Sequence, residues 1–191
     1  MTNLTIKDFL LIIDLIFCLN QISLKSIDSS SNLIFNLLII AIAGKDYVLI
    51  AGDTRMSSGY SILSRNYKRT SKLTEKCAIT SSGMCADIEA LHKDMITKVK
   101  IYERKHKCQP TTESLAQLLG NTLYGRRFMP YYAFNLLCGL KKDGEGVVYG
   151  YDAIGSWDTL TYGCQGSGQQ MGVPLLDNQF VGHNHLEKKV A

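Results

Sequence analysis

The chain has 191 residues, enough for one domain or for one domain with an extension. With 46% hydrophobic and 20% charged residues it has the balance of a globular protein, which excludes wholesale disorder. The net charge of +4 is scattered, with only short clusters such as Arg104-Lys105-His106-Lys107, so the sequence lacks the concentrated basic face that nucleic acid requires.

Residues 1–36 read as an atypical extension or pro-segment, and residues 37–191 as the domain proper. Phe9 to Leu19 is an eleven-residue apolar run broken by Asp14. A membrane span needs about 20 apolar residues, and the acid weakens a signal-peptide reading. Asn3-Leu4-Thr5 fits a glycosylation sequon, of meaning only in a secreted chain. The six cysteines are widely spaced without a C-x-x-C pair, which predicts free thiols rather than a zinc site or a disulfide framework.

From Leu33 the pattern becomes regular. Leu37 to Ala43 and Tyr47 to Ala51 are continuous apolar runs joined at Gly44-Lys45-Asp46, predicting a hairpin of strands buried on both faces. Gly59 to Leu63 alternates as a half-exposed strand should, and Cys77 to Ser81 is another short strand. Ile88, Leu91, Met95, Val99 and Tyr102 then recur at spacings of three and four, the stripe of a helix packed on one side. Pro110-Thr111-Thr112 offers cap chemistry for a second helix, with Glu113 in its first turn and Leu115, Leu118, Leu119, Thr122 and Leu123 on its inner face.

Strands return after Pro130. Tyr132 to Leu140 and Gly146 to Tyr151 flank a Lys141–Glu145 turn, and Asp158 to Tyr162 is a further strand. A Gly-rich corner, Gly163 to Gly168, leads to a short helix ending near Asp177. Blocks of strands and helices, rather than strict alternation, predict an α+β fold with two sheets face to face and helices outside.

Three segments carry a likeness: AIAGKDYVLIAGDTRMSSGYSI (Ala41 to Ile62), YGRRFMPYY (Tyr124 to Tyr132) and GSGQQMGVPLLDNQ (Gly166 to Gln179). Together they resemble the β subunits of the proteasome core particle, and within that family the non-catalytic sixth β position. The resemblance runs from about Leu37 to Gly182. It implies the αββα four-layer sandwich of N-terminal nucleophile hydrolases, incomplete at the C-terminus because family chains continue further. It also implies other α and β subunits as partners in stacked heptameric rings, a location in cytoplasm and nucleus, and poor stability for residues 1–191 alone. It implies no cofactor, no metal, no nucleic acid and no membrane.

Active members of that family expose a terminal threonine whose hydroxyl attacks the peptide carbonyl while its own amino group acts as base. In this sequence the nucleophile slot is Leu37, after Asn36, and no threonine lies between Thr5 and Thr54. Ser29, Ser30 and Ser31 come too early to substitute. The family's Asp slot is Asp53, its Ser slot is Ser167, and its Lys slot falls on Arg69, whose guanidinium cannot serve as a tuned lysine. The sequence therefore assigns no catalytic, cofactor-binding or metal-binding residue, and predicts a structural subunit. The alternative is a threonine-type endopeptidase whose true N-terminus is missing.

Other sharp readings weaken on inspection. His183-x-His185 has no third ligand nearby, so an exposed tail is expected. His92 and His106 read as a helix-face residue and a loop residue without a partner acid. Ser167 between glycines lacks the Lys-Ser/Thr ending of a phosphate loop. Tyr131, Tyr132 and Phe134 beside Arg126-Arg127 read as a core strand whose flanking arginines meet a neighbouring subunit, since interfaces favour Arg and Tyr.

Overall fold

The computed structural model describes residues 38–58 and 61–180. The predicted extension at 1–36, the slot at Leu37 and the His183/His185 pair lie outside them. Ten strands and three helices fill the described residues. Five strands form a larger sheet in the order β5 (Thr70–Thr74), β6 (Cys77–Gly83), β7 (Ala133–Leu140), β8 (Gly146–Tyr151) and β9 (Trp157–Leu160). Three form a smaller sheet in the order β10 (Tyr162–Gly166), β1 (Leu38–Ala43) and β2 (Val48–Gly52), and β3 (Met56–Ser58) pairs with β4 (Ser61–Ser64) as a separate ribbon.

The alternation of side chains along β1 explains its unbroken apolar run. Leu38, Ile40 and Ile42 pack with Cys164 and with Leu176 of helix α3 (Gln169–Phe180). Ile39 and Ala41 point the other way, onto Leu136, Cys138 and Val148 of the larger sheet. The far face of that sheet, with Ile79, Leu137 and Tyr149, packs on helices α1 (Cys85–His106) and α2 (Thr112–Tyr124) through Ile88, Leu91, Met95, Leu115 and Leu119. Three apolar layers thus separate four structural layers, which is the helix–sheet–sheet–helix sandwich that the sequence predicts.

Local chemistry sets the helix ends. Thr111 caps α2 by accepting the Ser114 N–H at 3.2 Å, and the Thr112 hydroxyl donates to the Leu140 carbonyl at 2.6 Å. Helix α1 is capped after His106 by Lys107, whose φ of 57° is left-handed and whose N–H returns to the Glu103 carbonyl.

Several expectations need correction. β2 is half-buried along its length rather than buried on both faces, because it is an edge of the smaller sheet. The predicted corner from Gly163 is instead strand β10, pairing Gly163 with Ala41 and Gly166 with Leu38. Glycine weakens a strand, yet here it suits one: a Cβ at Gly163 would stand 3.0 Å from Leu136, and one at Gly172 would stand 2.7 Å from the Cys164 sulfur. The strand predicted at Asp158–Tyr162 splits at Thr161, where the chain leaves one sheet for the other and the Thr161 carbonyl accepts the Ala43 N–H at 2.7 Å. The final helix runs past Asp177 to Phe180. His106 is the last residue of α1, stacked near Tyr102, rather than a loop residue.

Candidate functional site

The start of β1, the end of β2, the residue before β5 and the turn after β10 meet at one corner. Gly52 ends β2 opposite Ile39, and the next amide, Asp53 N–H, donates to the Leu38 carbonyl at 3.0 Å. Asp53 is buried, and its carboxylate accepts the Arg55 N–H at 2.7 Å, closing a short turn on its own backbone. Gly166 pairs with Leu38 across the sheet, and a Cβ on Gly168 would stand 3.2 Å from the Leu38 side chain. The Gly166-Ser167-Gly168 turn therefore lies against the first described residue. The chain assembles the Asp53, Arg69 and Ser167 slots around the residue that follows Leu37.

Arg69 holds this corner together. Its side chain is buried, at 3% exposure, with Nε donating to the Asp53 carbonyl at 2.6 Å and Nη2 donating to the Arg55 carbonyl at 2.6 Å. The guanidinium carbon lies 5.1 Å from the centre of the Tyr67 ring, and the Tyr67 hydroxyl donates to the Cys85 carbonyl at 3.5 Å. Burial pulls the Arg69 pKa below its ordinary value while the Asp53 charge opposes that shift, and burial raises the Tyr67 phenol. A guanidinium has donors only and keeps its proton. Here two of those donors are spent on main-chain carbonyls. The group braces the 53–55 turn, and proton traffic is outside its chemistry.

A second polar cluster escaped the sequence reading. His92, on the inner face of α1, is buried with both ring nitrogens engaged: Nδ1 lies 2.9 Å from Ser71 Oγ and Nε2 2.8 Å from Ser81 Oγ. Ser81 donates its only proton to Asn135 Oδ1 at 2.6 Å, and Asn135 Nδ2 donates to the Ala133 carbonyl at 3.1 Å. Ser81 must then accept from His92, which places the imidazole proton on Nε2 and makes Nδ1 the acceptor for the Ser71 hydroxyl. Burial pushes the His92 pKa down to about 4, so the ring is neutral. Its partners are hydroxyls on strands far away in sequence, a pairing that no acid spacing reveals.

The aromatic segment divides at the strand start. Tyr131 is buried under Arg126, whose guanidinium carbon is 4.4 Å from the ring centre, whereas Tyr132 is exposed and meets Phe134 edge to face. Among the described residues no group of three or more His, Cys, Asp or Glu could hold a metal ion, and no helix is long and apolar enough to cross a membrane. The five described cysteines are unbridged, and burial raises Cys77 and Cys164 to about 12.

Comparison with known proteins gives the family of the chain. A family model described as proteasome subunit matches residues 38–191. The chain is similar to a protein named proteasome subunit beta type-1 from Arabidopsis thaliana, 52% identical over 141 residues that cover 74% of this chain and 63% of the relative. It is similar to the protein of that name from Dictyostelium discoideum, 48% identical over 147 residues covering 76% of this chain and 62% of the relative. A third, from Drosophila melanogaster, is 43% identical over 153 residues covering 80% of this chain and 65% of the relative. The chain thus spans less than two thirds of the length of these relatives.

Proposed function

The chain belongs to the proteasome subunit family, and we propose that it is a non-catalytic, structural β subunit of the proteasome core complex, at the sixth β position. In this reading it completes a heptameric ring stacked on α and β siblings in cytoplasm and nucleus. It serves protein degradation by shaping the chamber in which those siblings cut. The proposal rests on the corner built around Leu38. The residue before it is Leu37, which has no hydroxyl to attack a carbonyl. Position 69 carries a buried arginine that spends Nε and Nη2 on the Asp53 and Arg55 carbonyls.

Labelling of the native particle with an electrophilic peptide epoxyketone, which alkylates terminal-hydroxyl nucleophiles, tests this directly. The expected outcome is a chain that co-migrates with a high-mass particle and stays unlabelled while catalytic siblings react. A labelled chain with a terminal Thr or Ser would establish the endopeptidase alternative. A chain found only outside high-mass assemblies would end the structural-subunit reading.

A further inference from the structure

The N-terminus of α1 stands beside the Asp53 corner and carries chemistry that a structural role does not use. Of the described cysteines, Cys77, Cys138 and Cys164 are buried, Cys108 is exposed, and Cys85 is half-buried as the first residue of α1. The Cys85 thiol donates to Met56 Sδ at 3.2 Å. Its carbonyl accepts the Tyr67 hydroxyl, and the Tyr67 ring in turn lies under the Arg69 guanidinium. The first turn of α1 is open: Met84, at the cap position, makes no side-chain hydrogen bond to it. The acid in that turn, Asp87, faces elsewhere and accepts the Tyr132 N–H at 2.8 Å.

Arg69 supplies an independent observation. Nε and Nη2 form the edge of its guanidinium that faces the 53–55 turn. Nη1 lies on the other edge, is fully enclosed, and has no hydrogen-bond partner among the described residues. No described carboxylate lies within ion-pair distance of the group either. Burial lowers the Arg69 pKa, and Asp53 and then Cys85 oppose that shift, so the sulfur stands in the field of the guanidinium. An enclosed donor without an acceptor is costly, and an oxygen on that sulfur would answer it. We infer that Cys85 is a site of oxidation by hydrogen peroxide, and that the oxygen its sulfur gains is held by Arg69 Nη1 and the open first turn of α1. In that step the sulfur attacks one peroxide oxygen, an S–O bond forms and the O–O bond breaks. Cys85 is oxidised from thiol to sulfenic acid, while the peroxide is reduced and its second oxygen leaves as water with the thiol proton. Met56 is the competing sulfur, whose product would be a sulfoxide. The inference stands on this corner and does not depend on the proposed role in a ring.

The test treats the native protein, in the assembly in which it is purified, with dilute hydrogen peroxide and dimedone, which captures sulfenic acids. Mass spectrometry then measures each cysteine peptide. Labelling of Cys85 is expected at about ten times that of the more exposed Cys108, the difference made by one charge-assisted hydrogen bond. Arg69→Lys keeps a cation but loses the second donor edge, and is expected to cut Cys85 labelling about threefold with Cys108 unchanged. Labelling of the buried Cys77 and Cys164 would reveal loss of fold in that variant, and the Cys85-to-Cys108 ratio in unaltered protein then decides. Equal or weaker labelling of Cys85 refutes the site, as does oxygen on Met56 with Cys85 intact. Preferential labelling that a folded Arg69→Lys variant leaves unchanged refutes the part given to Arg69.

Discussion

Two arginine-bearing turns of this chain use the same side chain for opposite ends. At the Asp53 corner, Arg69 is buried and gives two of its donors to two carbonyls of its own chain. At the end of α2, Arg126 and Arg127 stand in solvent over aromatic rings, beside a Phe128 that is almost wholly exposed. A buried guanidinium with internal partners speaks of fold. An exposed one beside unburied apolar surface speaks of something outside the molecule. The first holds a turn of its own chain in place, and the second is left facing outward.

The comparison breaks if Arg69 proves dispensable. Arg69→Met should cost about 4 kcal/mol in urea unfolding, because the Asp53 and Arg55 carbonyls lose charged donors in a buried setting. Amide exchange at residues 53–55 should quicken in the same variant, and Arg69→Lys should restore only part of the loss because one ammonium cannot span both carbonyls. Next comes His92, the other buried group with internal partners. Its folded pKa of about 4 lies below the ordinary 6.5, so the folded state binds fewer protons between those values. Its contribution is complete above pH 6.5 and is lost as pH falls toward 4, by roughly 2 kcal/mol. Urea midpoints at pH 7.5 and 4.5 measure this, and His92→Leu should remove that part of the slope.

Smaller effects sharpen the contrast. Thr111→Ala should cost about 1 kcal/mol in thermal or urea unfolding through loss of the α2 cap. Phe128→Ser should change stability by less than about 0.5 kcal/mol, since the side chain touches little of its own fold. A large loss of stability in that variant would mean that the exposed turn is structural after all.

The layers of the fold were legible because their signals are local and periodic. The double-sided apolar run of β1, the α1 stripe and the Thr111 cap each declare themselves within a few residues. β10 was not, since what makes a strand of Gly163 and Gly166 is the close approach of Leu136 and the pairing with β1. β3 and β5 are short and largely polar, so no period marks them. At the corner, the Asp53, Arg69 and Ser167 slots came from family resemblance, whereas the bracing of Asp53 and Arg55 by Arg69 depends on a fold that brings residues 14 and 16 positions apart into contact. The His92 network was invisible for the same reason.

The route of the chain at Thr161 has a mechanical consequence. One segment supplies β9 of the larger sheet and, after a single residue, β10 of the smaller, so the two sheets are stitched covalently there. Elsewhere the joints are non-covalent: the apolar layer of Ile39 and Ala41 on Leu136, Cys138 and Val148, a backbone bond of 3.2 Å from Gly146 to Gly44, and the Arg69 guanidinium on the 53–55 turn. Prised apart, the sandwich would open as a book does, with its spine at Thr161.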